Sequence, residues 1–307
     1  MSKEVSKISS IIELTKPRLT AMALFSGAVG YVAGTNPEAD FNWWRLLHIV
    51  LGLALVGAAS NITNQAMEVK LDAQMERTKD RPIPTGRVSK TEAYTVAFIC
   101  LAAGLIYLHI AVHFYIMVFS LATYLSYIVV YTPMKTKSAL NTIIGAVPGA
   151  LPIFTGWLAA RNIDNDGNIM HGDSSALFIF AFLFVWQLPH FFSIAWIYKD
   201  DYKKAGYKMI SYYDEKGLQT IVLIFITNIA MIIVSYSPLY FMDEQQGILY
   251  AVALTFANIG VFIISLLLIL NREKFMKWYF YASIIYLPYV LILLMIFRSV
   301  PDTIIYG

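Results

Sequence analysis

Long apolar runs are the dominant pattern along this chain. The runs at 221–240, 248–270 and 278–297 contain no charged residue, and each is close to the roughly 20 apolar residues that a helix needs to cross a bilayer core. Strands of an outer-membrane barrel would instead alternate apolar and polar residues over about 10 positions. The pattern therefore predicts an all-α polytopic membrane protein with about nine transmembrane helices. The predicted spans are 18–34, 45–66, 91–109, 113–131, 140–160, 176–197, 219–240, 248–270 and 278–297.

The charged residues are too few to cover a water-facing surface. The 307 residues are 58% hydrophobic and 14% charged, and the mean hydropathy is +0.60, whereas soluble chains average about 25% charged residues. We expect one transmembrane domain over 1–307, surrounded by membrane lipid and without a nucleic-acid partner. The single cysteine, Cys100, excludes an intrachain disulfide framework and a cysteine-based metal site.

Lys and Arg concentrate on one side of the predicted spans. Of the 23 Lys and Arg residues, only Arg45, Arg161 and Arg298 fall in the links on the other side. Cytoplasmic loops carry the excess of positive charge in multi-pass proteins. We therefore predict a cytoplasmic N-terminus and, with nine spans, a C-terminus outside.

A weak internal repeat relates spans one and five. The basic triplets Lys16-Pro17-Arg18 and Lys135-Thr136-Lys137 precede these two spans, and glycines recur within each of them. The pattern fits two four-helix halves followed by a ninth helix, but chance placement of Gly and Lys at helix ends explains it equally well. Small residues would in either case allow close helix packing in lipid. The glycines concerned are Gly27, Gly30, Gly34, Gly145, Gly149 and Gly156.

Three oxygen-bearing side chains lie at the inner end of span two. Asn64, Glu68 and Asp72 are spaced four residues apart, which places them on one face of a helix. Mg²⁺ prefers oxygen ligands and is usually held by one or two carboxylates together with substrate phosphates. Because eight residues of helix span about 12 Å, one ion cannot bridge the stripe; either two ions bind or Asp72 supports one from outside. The alternative is an amphipathic helix end that reaches into water.

Two arginines follow this acidic stripe directly. Arg77 and Arg81 precede Pro82 and Pro84, which end any regular helix. The planar guanidinium group suits phosphate, so stripe and arginines together predict a site for Mg²⁺ and a diphosphate. Anchoring of the positive inner loop is the alternative, but Asp and Glu add little to topology.

One histidine is predicted to lie within a span. His190 sits in span six, about two turns from its inner end, and follows Pro189. An ionisable group inside a membrane is a functional candidate, although His190 also suits a hydrogen bond between helices. His109 and His113 are predicted to be interfacial residues near the outer surface.

The chain resembles the protohaem IX farnesyltransferase (haem O synthase) family of UbiA-type intramembrane prenyltransferases over about residues 12–217. A Trp-Gln-x-Pro-His block separates that family from its quinone-making relatives. The resemblance implies nine helices around a central lipid-facing cavity, in a bacterial cytoplasmic (inner) membrane. It rests on Asn64…Glu68…Asp72, Arg77-Thr78…Arg81-Pro82, Tyr131-Thr132…Met134-Lys135, Asn141-Thr142…Gly145-Ala146, Trp186-Gln187…Pro189-His190-Phe191 and Asp201-Tyr202…Ala205-Gly206.

This resemblance implies transfer of a farnesyl group from farnesyl diphosphate to a vinyl group of haem B, which yields haem O for haem-copper oxidases. Haem A synthase or an oxidase assembly protein is the implied partner, and Mg²⁺ the implied cofactor. The implied metal ligands are Asn64, Glu68 and Asp72. The implied diphosphate-binding residues are Arg77, Arg81, Lys135, Lys199 and Asp201. His190 would ligate the haem iron or orient the porphyrin. The residues implied in catalysis are Asn64, Glu68, Asp72, Arg77, Arg81 and His190.

Two departures from the wider superfamily bear on this interpretation. Glu68 stands where an aspartate is usual, and no carboxylate lies four residues from Asp201, which puts a second Mg²⁺ in doubt. An aromatic prenyltransferase of quinone biosynthesis would carry that second pair. A transporter would show polar or broken spans near the middle of the bilayer, whereas the polar clusters here lie at the cytoplasmic edge.

Overall fold

A computed structural model describes residues 6–35, 40–161 and 175–297, and every regular element within those ranges is helical. Eight helices there are long and apolar enough to cross a membrane. A ninth, with 18 residues, corresponds to the first predicted span, so the predicted fold class is confirmed. The long helices are α1 Pro17–Gly34, α2 Trp43–Asp72, α3 Lys90–Ala111, α4 Phe114–Met134, α5 Asn141–Ala160, α6 Ser175–Ile197, α7 Leu218–Ser235, α8 Glu244–Leu270 and α9 Arg272–Ile296.

The helix ends differ from the predicted spans where a helix continues beyond the apolar run. Helix α2 extends to Asp72 and α9 begins at Arg272, each six residues outside its predicted span. Helix α7 is shorter than predicted because its last residues form a separate 3₁₀ turn, Ser237–Phe241. Short helices also lie at Lys7–Leu14, Lys199–Lys204 and Ile210–Tyr213.

The nine helices form a closed ring. Each helix packs on the next in the chain, and α9 returns to contact α1. The most extensive contact crosses this ring, between α1 and α5. Helices α1 and α5 therefore tie the first half of the chain to the second.

Glycines make the contact between α1 and α5 possible. A Cβ on Gly30 would lie 1.9 Å from the carbonyl oxygen of Ile153, and a Cβ on Gly156 would lie 1.8 Å from that of Gly27. No side chain fits at these distances, so the two backbones touch directly. The close packing predicted from the glycines is confirmed for this pair of helices.

The inner end of α4 departs from regular α-helix. Residues Ser126–Tyr131 form a π-helical stretch that ends two residues before Pro133. This proline lacks a backbone N–H and crowds the carbonyl one turn earlier. The Thr132 hydroxyl and backbone N–H both donate to the Tyr127 carbonyl oxygen. This irregular turn positions the residues that follow it.

Buried polar contacts join α7, α8 and α9. Two matched sets each take a tyrosine from α9, an asparagine from α7 or α8 and a serine from the remaining helix. Such hydrogen bonds typically contribute about 0.6 kcal/mol in membrane proteins. The pairs are Tyr279–Asn228 at 2.8 Å, Asn228–Ser265 at 3.4 Å, Tyr286–Asn258 at 2.7 Å and Asn258–Ser235 at 3.2 Å.

We predict that Gly156→Ala destabilises the protein by about 3 kcal/mol or more, because overpacking usually costs about 1–3 kcal/mol and backbone cannot move aside as a side chain can. Gly260→Ala is the matched control, since nothing lies within 4 Å of its Cβ position. Thermal unfolding in detergent, followed by helical circular dichroism, should show a lower midpoint for Gly156→Ala alone. Equal midpoints for both variants would contradict the close contact.

Candidate active site

The predicted acidic stripe lies on one buried face at the inner end of α2. Asn64 and Asp72 are each 1% exposed and Glu68 is 5% exposed. Because α2 continues to Asp72 as an unbroken helix, the four-residue spacing keeps all three side chains on that face. The alternative of a helix end that simply reaches into water is therefore wrong.

Asp72 is held by an arginine from the loop that follows α2. The Arg81 Nη1 donates to both carboxylate oxygens, at 2.8 and 2.7 Å. The buried Thr78 hydroxyl donates to the Asp72 carbonyl oxygen at 2.8 Å, which folds the loop back over the helix end. The Arg81 side chain stays 25% exposed, so it contacts the carboxylate and remains accessible from outside the protein.

Glu68 is held by a lysine from the segment after α4. The Lys135 Nζ lies 2.8 Å from Oε1 and donates to Oε2 at 3.1 Å. It also lies 4.7 Å from the centre of the Tyr131 ring, a cation–π contact. Oε1 accepts no well-oriented hydrogen bond although it is buried. Lys135 thus lies beside the predicted metal ligands, and its predicted contact with a diphosphate stays a prediction.

Lys16 is a third cation at the stripe that the sequence reasoning did not assign. Its Nζ donates to Asn64 Oδ1 at 3.1 Å, and the Asn64 amide donates to Thr132 Oγ1 at 3.1 Å. The Lys16 backbone has φ of 49°, the left-handed region, which is unusual for a residue with a side chain and is often found at functional sites. The signal in the sequence was a lysine directly before the first span.

The charges around Lys16 repel one another. Burial, and then the nearby Arg81 and Lys135, lower the pKa of Lys16 to about 7, although part of its side chain stays accessible. When Lys16 is protonated, three cations face two carboxylates. Such a surplus of positive charge is suited to an anionic ligand.

Arg77 contacts the segment after α6 and not the carboxylates. Its Nη2 donates to the Tyr202 hydroxyl at 3.1 Å, and its guanidinium carbon lies 4.6 Å from the centre of the Tyr198 ring. In this arrangement Arg77 joins the loop after α2 to the segment after α6. Its predicted contact with a diphosphate stays a prediction.

Lys199 and Asp201, the predicted site residues in the segment after α6, make different contacts. The Lys199 Nζ lies 3.7 Å from Glu273 and 3.9 Å from the centre of the Trp196 ring, so its contacts are with α9 and α6. Asp201 is partly buried and interacts electrostatically with Lys79. The contacts of Lys199 are not with the stripe on α2.

A small cavity opens beside the stripe, between the inner ends of α4, α5 and α6. Its volume is about 40 Å³, far below the roughly 300–1,000 Å³ of ordinary ligand pockets. A porphyrin would therefore require the surrounding segments to separate. The residues around the cavity are Tyr131, Asn141, Thr142, Phe191, Ile194, Ala195, Tyr202 and Met209.

His190 lies on the side of α6 that faces α9. Its Nδ1 is 2.8 Å from the Ser283 hydroxyl, and its ring stacks between Trp186 and Phe280 at centroid distances of 4.9 and 5.2 Å. The next residue, Phe191, borders the cavity. Hydrogen bonding between helices, the alternative reading of His190, is thus present in the structure.

The donor set at the stripe fits a hard divalent cation. Two carboxylates and an amide oxygen are the ligands that Mg²⁺ prefers, and the buried Glu68 Oε1 lacks a well-oriented donor. Within the described ranges, no three His, Cys, Asp or Glu side chains gather as a metal cluster. Asn64, or a ligand oxygen, would therefore have to complete the coordination.

Comparisons with known proteins agree with this fold. The sequence pattern of the UbiA prenyltransferase family matches residues 23–296. The chain belongs to this family. Among its relatives, the protoheme IX farnesyltransferases of Opitutus terrae and Solibacter usitatus are each 34% identical, over 95% and 94% of this chain and 96% and 98% of their own length. That of Christiangramia forsetii is 40% identical over 67% of this chain and 64% of its own.

Solved structures share the fold of this UbiA-family chain. A digeranylgeranylglyceryl phosphate synthase superposes with a TM-score of 0.75 at 17% identity, covering 95% of this chain and 98% of its own. A UbiA homologue from Archaeoglobus fulgidus, bound to GPP and Mg²⁺, gives a TM-score of 0.61 at 14% identity, with coverages of 93% and 99%. Identities this low show the fold alone.

We predict that Arg81→Lys lowers prenyl transfer about tenfold or more while the protein still folds. One ammonium group cannot bind both Asp72 oxygens and still offer further planar N–H donors to a phosphate. Arg87→Lys is the matched control, because Arg87 also contacts both oxygens of a carboxylate, that of Glu13, at the exposed surface. If Arg81→Lys turned over substrate at the wild-type rate, Arg81 would serve only as a positive charge that sets the topology of the loop.

Proposed function

We propose that this UbiA-family protein transfers the farnesyl group of farnesyl diphosphate to a vinyl group of haem B and so forms haem O. The observation that carries the proposal is the relatives' shared name, protoheme IX farnesyltransferase, at 31–34% identity over 94% or more of this chain in three of them. The buried site of two carboxylates and three cations supports the diphosphate half of the reaction. The relatives favour a haem acceptor over a quinone precursor.

The cations around the stripe serve the leaving group. As the bond between the farnesyl carbon and the diphosphate oxygen breaks, negative charge grows on the diphosphate. Once the diphosphate is bound, Lys135 and Arg81 donate to that charge beside the carboxylates, and Lys16 adds a third cationic group. Donors already in place where charge develops stabilise a transition state strongly, because they need no reorganisation.

Asn64 and Glu68 would hold Mg²⁺, and Asp72 would either support this ion from outside or hold a second one. When bound, the ion supplies Lewis-acid stabilisation of the diphosphate oxygens. The stripe presents three oxygen-bearing side chains along one buried helix face. The proposed use of Mg²⁺ is supported by the Archaeoglobus fulgidus homologue bound to GPP and Mg²⁺.

The surroundings of the site protect the allylic cation from water. Tyr131 and Tyr202 border the cavity together with apolar residues of α6. The vinyl carbon of haem B then bonds to the farnesyl carbon, and water adds a hydroxyl group at the neighbouring vinyl carbon with loss of a proton. Exclusion of water until the carbon–carbon bond has formed prevents simple hydrolysis of the diphosphate.

His190 is the proposed haem-contacting residue. Neutral imidazole ligates haem iron readily, and a histidine that binds a metal is usually oriented by a partner at its other ring nitrogen. Ser283 provides such a partner at 2.8 Å. Either iron ligation or orientation of the porphyrin is compatible with this geometry.

The protein is a multi-pass membrane protein. We place it in the bacterial cytoplasmic (inner) membrane with its N-terminus in the cytoplasm and its C-terminus outside, on the strength of the Lys and Arg distribution. This orientation places the stripe on α2 at the cytoplasmic face. Haem A synthase or an oxidase assembly protein is the proposed partner that receives the product.

We predict that the purified protein, given Mg²⁺, farnesyl diphosphate and haem B, forms a farnesylated hydroxyethyl porphyrin that mass spectrometry detects. Glu68→Gln and Asp72→Asn should each remove most of this product, because each removes a carboxylate charge without changing the shape of the side chain. The control is Glu92→Gln, which alters an exposed carboxylate that pairs with Lys7. Full product from both stripe variants would exclude these residues from catalysis.

We predict that His190→Ala weakens haem binding and shifts the Soret band, whereas affinity for farnesyl diphosphate stays near that of the wild type. The reason is that His190 faces α9 and makes no contact with the cations at the stripe. His109→Ala, which changes an exposed histidine, is the matched control. Loss of diphosphate binding with an unchanged haem spectrum would contradict the role, and wild-type values for both ligands would leave His190 as a helix-packing residue.

A further inference from the structure

Each carboxylate of the stripe already has a cation as its partner. Asp72 contacts Arg81 through both oxygens, and Glu68 contacts Lys135 at 2.8 Å. Both carboxylates are buried, and a buried ionised carboxylate requires a partner at all times. In these two ion pairs, Arg81 and Lys135 neutralise the carboxylates that a bound metal ion would otherwise neutralise.

The same cations are the donors available to a diphosphate. Lys16 interacts electrostatically with Arg81 and Lys135 as well as with both carboxylates, so the five charged groups form one cluster. A prenyl diphosphate carries about three negative charges near neutral pH, since its last ionisation lies near pH 6. It would compete with the carboxylates for Arg81 and Lys135.

The charge of the cluster decides which ligands bind together. With Lys16 protonated, the three cations and two carboxylates give the cluster one net positive charge. A divalent cation alone would raise that charge to three, and a diphosphate alone would leave an excess of negative charge beside unpaired carboxylates. Together the two ligands bring the cluster close to neutrality.

We propose that Lys135 and Arg81 occupy the metal-binding carboxylates until a diphosphate draws them away, so that metal and diphosphate bind as a coupled pair. The inference rests on the proposed function, because it assigns these residues to the same diphosphate site. Lysine has a flexible four-carbon stem that allows the exchange, and Arg81 is exposed enough to meet an incoming anion. The coupling is reciprocal, since each ligand raises the affinity for the other by the same factor.

The proposal gives two affinities that change in opposite directions when a cation is removed. Without its lysine, Glu68 is free to bind a metal in the absence of diphosphate, so Lys135→Met should bind Mn²⁺ about tenfold more tightly or better than the wild type. The same variant should bind farnesyl thiodiphosphate more weakly in the presence of a chelator. Arg81→Met should behave in the same way through Asp72.

The experiment uses the full chain in detergent and measures free Mn²⁺ by electron paramagnetic resonance. Lys90→Met is the matched control, because Lys90 is an exposed residue on the same cytoplasmic face and lies over the Tyr94 ring, away from the stripe. It should change neither affinity. If Lys135→Met does not fold because Glu68 is left unpaired, the proposal is tested with Arg81→Met, which replaces a more exposed side chain.

Tighter Mn²⁺ binding with weaker thiodiphosphate binding supports the exchange. Unchanged or weaker Mn²⁺ binding in folded Lys135→Met and Arg81→Met overturns it. The porphyrin product separates this outcome from the proposed function. Tighter Mn²⁺ binding in variants of a protein that never farnesylates haem B leaves the exchange standing and refutes the acceptor.

Discussion

The burial of two charged carboxylates at the inner end of α2 is the constraint on which the active site depends. Removal of one partner from a buried ion pair typically costs about 3–5 kcal/mol, so Glu68 and Asp72 dictate where cations must come from. The loop after α2 folds back until Arg81 reaches Asp72, and the segment after α4 brings Lys135 to Glu68. Lys16 accepts an unusual backbone conformation to reach the same face.

The contact between α1 and α5 brings two of these cations together from distant parts of the chain. Lys16 directly precedes α1, and Lys135 lies shortly before α5. The glycine contacts hold the two helices side by side, and each helix is entered through a basic segment that reaches the stripe. The two basic triplets of the sequence therefore both lie at the stripe, whether or not they arose from a repeat.

Features that depend on local pattern were predictable from the sequence, and features that depend on distant packing were not. Apolar run length identified the spans, and helical spacing placed Glu68 and Asp72 on one face. The partner of Lys199 could not be predicted, because Glu273 approaches it only once α9 has packed against α6. The role of Lys16 was missed for a related reason. The direction of its side chain follows from a left-handed backbone conformation, which the hydrophobic periodicity of the sequence does not reveal.

The π-helical stretch of α4 has a consequence for insertions and deletions. A π turn holds one residue more than an α turn, so Ser126–Tyr131 behaves as a one-residue insertion tolerated in the helix. Deletion of a residue there would restore regular winding and leave the direction of Lys135 nearly unchanged. Deletion of a residue elsewhere in α4 would rotate everything after it by about 100° and turn Lys135 away from Glu68. Because most of α4 is exposed on the outside of the helix ring, chain length between Phe114 and Lys135 is therefore under stricter constraint than side-chain identity.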